Sequence, residues 1–112
     1  LCREEHMLCF FDFEHAGLDD PAKLVCDFFV RPGAGVSSTL LPAFCDAAGF
    51  KHDVKQRAEH LMDLYRVKWA CIVLNEFTAE GARRRKFAGA DAVGRKADQL
   101  TKARSLLREV TV

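Results

Sequence analysis

The sequence predicts a mainly α-helical fold, one short N-terminal β-strand followed by a four- to five-helix bundle. Three observations carry this. Met7 to Phe11 (MLCFF) is apolar at every position over a length too short for a helix. From Pro21 onward, apolar residues recur every three or four positions, the period of an amphipathic helix. Past Phe11 no further stretch reads as a strand, and the clearest interruption of helical periodicity is RPGAGVSS, residues 31–38.

The elements follow in order. Met7 to Phe11 fits a strand buried on both faces, and Asp12 ends it. Phe13 to Asp19 and the Asp20 that follows include AGLDD, residues 16–20, a turn composition. Asp20-Pro21 marks a helix start, because Asp accepts orphan backbone N–H groups and Pro suits the first helical position. Leu24, Val25, Phe28 and Phe29 then share helical spacing. The Gly-Ala-Gly of the 31–38 loop lacks the following Lys-Ser/Thr of a phosphate-binding loop and reads as a linker. Ser38 is placed to cap a short helix, Thr39 to Ala48, that stops at Gly49. Asp53 is placed to cap the next, in which Ala58, Leu61, Met62 and Tyr65 form one stripe. Val67 to Phe77 (VKWACIVLNEF) is apolar nearly all round, the mark of the most buried helix. With no Pro or Gly to mark a break, residues 54–78 fit one helix or two. TAEGARRRKFAGAD, residues 78–91, reads as a loop. The last helix carries Val93, Ala97, Leu100, Ala103, Leu107 and Val110, spaced 4, 3, 3, 4 and 3, as a single apolar face. The expected core includes Phe28, Leu61, Trp69, Ile72 and Val73. A lone strand cannot satisfy its own backbone groups, so its partner is expected from an N-terminal part beyond Leu1 or from another chain.

The 112 residues suit one domain, with residues 1–20 as strand and loop and 21–112 as helical bundle. A chain 49% hydrophobic and 29% charged can bury a core, and its net charge of +1 argues against a general polyanion binder. No run of about 18 apolar residues is present to span a membrane, and LCREEHMLCF lacks the apolar core of a signal peptide. Five cysteines stand at 2, 9, 26, 45 and 71, an odd count at wide spacing without C-x-x-C. They read as buried free thiols of a cytoplasmic protein rather than as a zinc site or disulfide framework.

Asp12 and Glu14 leave the strand as D-x-E. In extended chain, residues two apart share a face, and paired carboxylates suit Mg²⁺; a solvated acidic turn is the plain alternative. Asp20 is assigned to capping and Asp19 to the surface. The wider order is an apolar strand, DFEHAG, DDP, a helix with an internal Asp, a linker and a helical bundle. This resembles the C-terminal half of the aminoglycoside phosphotransferase and choline kinase-like family, over most of residues 7–78 and on through the final helix. VKWACIVLNEF likewise looks like a central helix of that family's helical lobe.

The resemblance implies ATP- and Mg²⁺-dependent phosphoryl transfer to a hydroxyl group. It gives Asp12 the role of the metal-binding acid that bridges Mg²⁺ to the nucleotide phosphates, with Phe13 packed behind it and Glu14 as a neighbouring candidate ligand. It gives Asp27 the role of supporting the catalytic loop, although DPAKLVCDF is longer than the family's D-P-x-x-D-L-A. The family's base lies in an H-G-D-x-x-x-x-N motif upstream of D-F-E, and neither this motif nor the nucleotide lobe occurs here. The chain is therefore expected to be a C-terminal fragment of a longer phosphotransferase, inactive alone, with Mg²⁺ and ATP bound only in the parent. Its expected partners are the missing N-terminal part and a second copy joined through the N-terminal strand, with no nucleic acid and no membrane.

The remaining candidates carry less. ARRRKF, with Arg83, Arg84 and Arg85, reads as a solvated loop that in a parent protein would also suit an anionic group. His15, His52 and His60 share no metal-ligand spacing, and Trp69 reads as core. A metal-dependent nuclease would need further acids on neighbouring strands. A non-catalytic helical interaction module is the other alternative, favoured by the missing base.

Overall fold

The computed structural model describes residues 2–4, 7–9, 17–87 and 92–111, of which 2–4, 7–9, 85–87 and 92–93 are described as backbone only. It is mainly helical. Helices α1 (Pro21–Val30), α2 (Leu41–Ala47), α3 (His52–Leu74), α4 (Ala79–Phe87) and α5 (Ala92–Arg108) follow one another, with short 3-10 turns at Ser38–Leu40 and Asn75–Phe77. Ahead of them the backbone of β1 (Cys2–Glu4) pairs antiparallel with β2 (Met7–Cys9), Cys2 opposite Cys9 and Glu4 opposite Met7. Residues 7–9 thus have a strand partner within the chain, where the sequence reading looked for one outside it. Phe10 and Phe11 lie outside the described residues.

Local chemistry explains most helix ends. Asp20 caps α1, its carboxylate accepting the Ala22 N–H at 2.9 Å with Pro21 in the first turn. The helix stops at Arg31 because Pro32 favours an extended residue before it. Pro32 and Gly33 (φ 87) then occupy the middle of a turn closed by the Ala34 N–H on the Arg31 carbonyl at 3.1 Å, the type II pattern in which the third residue must be Gly. Gly49 (φ 69) ends α2. Its N–H bonds the Asp46 carbonyl and the Phe50 N–H bonds that of Cys45, a Schellman closure.

Several predicted boundaries move. Ser37, rather than Ser38, caps the 3-10 turn, and the α-helix proper begins at Leu41, which places Pro42 in its first turn where a missing N–H costs nothing. Lys51 stands at the start of α3 without a side-chain cap; Asp53 lies in the first turn and pairs with Arg57 at 2.8 Å instead. α3 runs unbroken for 23 residues. The predicted loop 78–91 begins as a helix, since Thr78 Oγ1 accepts the Gly81 N–H at 3.0 Å and Glu80 pairs with Arg83 and Arg84 one turn on. Gly81 is required there because a Cβ would collide with the Asn75 backbone carbonyl. Residues 88–91 lie outside the described part.

The core lies where α1 and α2 meet the first half of α3: Ala22, Val25, Cys26 and Val30, then Leu41 and Cys45, then Val54, Ala58 and Met62. Phe29, Phe44, Phe50, Leu61, Tyr65, Trp69 and Leu106 pack against it. α5 runs antiparallel along the second half of α3. Arg66 bonds Glu109 (3.3 Å) and Asp63 accepts the Thr111 N–H (3.1 Å) at one end, and Glu76 pairs with Arg95 at the other. Between these ties Ala70 and Ala103 are both buried, their small side chains letting the helix axes approach.

This arrangement corrects the expected core. Leu61, Trp69 and Val73 are half-buried, but Phe28 is 41% exposed and Ile72 48% exposed. The structure is only 24 Å thick in its least dimension, about two helix diameters. A helix in such a slab is covered on its flanks and not all round, so of Val67 to Phe77 only Ala70 and Glu76 are buried. The predicted face of α5 is also rotated. Ala103 is buried and Val110 half-buried, while Ala97, Leu100 and Leu107 are exposed and Arg95, Gln99 and Leu106 are half-buried in their place. The side chain of Val93 lies outside the described part. Arg95 meets Glu76 of the 3-10 turn after α3 and Glu109 meets Arg66 of α3, both consistent with that rotation.

Candidate functional site

Of the three residues that the sequence singles out, Asp12 and Glu14 lie outside the described residues and Asp27 lies within them. Asp27 stands on α1 two turns from its capped start, and α3 passes directly behind it. Lys68 donates to both carboxylate oxygens at 2.8 and 3.1 Å, and the Trp69 indole N–H donates to the first at 2.8 Å. The Lys68 ammonium also lies 4.7 Å from the centre of the Tyr65 ring and 5.6 Å from that of Trp69, within cation–π range. Lys68 sits in an apolar run of the sequence and its ammonium pairs with Asp27 at a half-exposed position. That lysine, the one charge in VKWACIVL, is the signal the sequence offered for a partner on another helix.

Asp27 forms part of the wall between two hollows. One, about 400 Å³, lies toward Gly17, Asp19, Asp20, Lys23 and Phe50. The other is an open groove of about 620 Å³ between the end of α1, the Arg31–Ala34 turn, Val36 and Trp69. Its apolar walls are Leu24, Phe28, Val36 and Trp69, and its polar groups are Asp27 and Arg31. Phe28 is held by stacking on Phe44 at 4.7 Å, and Phe29 meets both rings edge-on. Arg31 makes no ion pair among the described residues.

The other carboxylates near the start of α1 are committed. Arg57 bonds Asp20 at 3.0 Å while also holding Asp53, and together with the Ala22 N–H it keeps the Asp20 carboxyl below the usual carboxylate range. Asp19 is likewise lowered, first by its bond with Lys23 and then by the Asp20 N–H. Among the described residues, no three His, Cys, Asp or Glu side chains gather closely enough to hold a metal ion. Asp19, Asp20 and Asp27 are each taken by cations or N–H donors.

Cys26, beside Asp27, faces the opposite way into the core and donates to the Ala58 carbonyl at 3.4 Å. Burial first, then the neighbouring charges of Asp27 and Asp20, pushes its thiol up from 9.0 to about 11. Its contribution to stability is fully present below the unfolded-state value and is lost as pH rises through the folded one. Wild-type stability should therefore fall between pH 9 and about 11 by roughly 2–3 kcal/mol more than that of Cys26→Ala, at 1.36 kcal/mol per pKa unit. Urea unfolding of both proteins across that range measures the difference; parallel curves would mean that the thiol is not shielded. Cys45 is also buried and raised by burial, whereas Cys71 is exposed, against the reading of every apolar-context thiol as buried.

No helix among the described residues is long and apolar enough to cross a membrane. Compared with known protein families, with curated proteins and with solved structures, the chain has no match.

Proposed function

We propose that the chain is the C-terminal helical part of a cytoplasmic small-molecule kinase resembling the aminoglycoside phosphotransferases, acting on a hydroxyl group with ATP and Mg²⁺. The observation that carries this reading is the order in the sequence of D-F-E, the Asp20-capped helix and the internal Asp27. In this reading Asp12 holds the metal, with Glu14 beside it. Arg57 pairs with Asp20 at the start of α1, the helix that follows D-F-E in the sequence. Asp27 ties α1 to α3 through Lys68 and Trp69, in place of the catalytic-loop role that the resemblance implied for it. The metal, when bound, offsets the negative charge of the transferring phosphoryl group.

The test uses a longer protein that contains this chain together with a nucleotide lobe and a catalytic base. Asp12→Asn should abolish ATP-dependent phosphorylation of alcohol acceptors and leave thermal unfolding unchanged, while the 112 residues alone turn over no ATP. Near-normal turnover by the Asn variant would remove Asp12 from the metal site and this reading with it.

A further inference from the structure

We propose that the groove between Trp69 and the Arg31–Ala34 turn binds a small molecule with an apolar body and a single anionic group. The inference goes beyond phosphoryl transfer and does not depend on it. At about 620 Å³ the groove lies within the range of small-molecule sites. Its walls are apolar and reachable, with Leu24 57% and Phe28 41% exposed. The indole N–H of Trp69 is already bonded to Asp27, so that ring offers apolar surface rather than a donor.

Charge decides the class. The groove contains one carboxylate and one guanidinium. Lys68 offsets the carboxylate from behind, bonding both of its oxygens. Arg31 has no such counterpart among the described residues, so the net field is that of one cation. Its backbone is fixed on both sides, the N–H bonded to the Asp27 carbonyl at 3.2 Å and the carbonyl to the Ala34 N–H at 3.1 Å. A guanidinium on an anchored backbone at the edge of an apolar groove suits a carboxylate or sulfonate, which it bonds through two parallel N–H groups. A cationic ligand would meet Arg31 and find the oxygens of Asp27 occupied.

Three probes with one body and different ends test this: 4-phenylbutanoate, 4-phenylbutan-1-ol and 4-phenylbutylammonium. Binding to the full chain is followed by calorimetry and by the emission of Trp69, the chain's one tryptophan. The butanoate should bind about tenfold more tightly than the ammonium, with the alcohol between them. Arg31→Gln, at an exposed position without an ion pair, should remove that preference and leave alcohol binding unchanged. Lys68→Met, checked for folding by circular dichroism, uncovers the charge of Asp27 and should shift preference toward the ammonium. Equal or tighter binding of the ammonium by the wild type, a preference that survives Arg31→Gln, or no binding of any probe at low-millimolar concentration would each overturn the proposal. None of these measurements involves ATP or metal, so they fail or succeed separately from the kinase reading.

Discussion

Replacing Arg95 with Met should destabilise the protein by about 3–5 kcal/mol, the usual consequence of removing one partner from a buried ion pair. Glu76 is the one charged residue buried among those described, with its side chain 2% exposed, and the Arg95 guanidinium meets it from α5. The carboxylate leaves the 3-10 turn that follows α3, where the first turn of α4 packs closely on the Asn75 backbone. Glu76→Leu combined with Arg95→Met should recover most of the loss, since it removes both charges and leaves apolar side chains to fill the space. Urea unfolding at neutral pH measures all three proteins. A loss below about 1 kcal/mol for Arg95→Met would show that α5 is held by packing around Ala103 and not by this pair. For a domain whose whole stability is of the order of 5–15 kcal/mol, the expected loss is large.

Trp69→Ala should cost about 3 kcal/mol, near the low end for an aromatic truncation because the ring is half-buried. The residue contributes twice. Its ring packs on the core of α1 and α2, and its N–H bonds Asp27. Trp69→Phe separates the two contributions by keeping most of the apolar surface and leaving Asp27 to Lys68; a loss of about 1.5 kcal/mol is expected for that one charge-assisted bond. Chemical unfolding should rank wild type above Phe above Ala. If the Phe variant is as stable as the wild type, Lys68 alone satisfies Asp27 and the indole bond adds nothing.

The legible parts of the fold were those set by neighbours in sequence. Asp20-Pro21 and Gly49 act through their own backbone and a hydrogen bond a few residues away, so the start of α1 and the end of α2 could be read directly. The missed helix over Ala79–Phe87 was local too, through Thr78, Glu80 and the arginines one turn on, but a run of charge around a glycine resembles a loop. At the site, D-F-E and Asp27 were visible as residue types. Lys68 was visible as a charge in an apolar run, with nothing in the sequence to say which carboxylate, 41 positions away, it would meet.

Composition and period by themselves determined that this chain folds mainly as helices, where several of them begin and end, and which carboxylates stand near the start of α1. Tertiary structure decided which faces are buried. Apolar spacing says that a helix has a face to cover but not how much of it the neighbours will reach. Here α3 has α1 on one flank and α5 on the other, so Phe28 and Ile72 remain partly in water. α5 turns its predicted stripe aside, and the side chains it brings to its neighbours include Arg95, bonded to Glu76. A buried charge without its partner costs more than a leucine left half-exposed, which is the physical reason for Arg95 to face Glu76 while Leu100 and Leu107 stay partly in water.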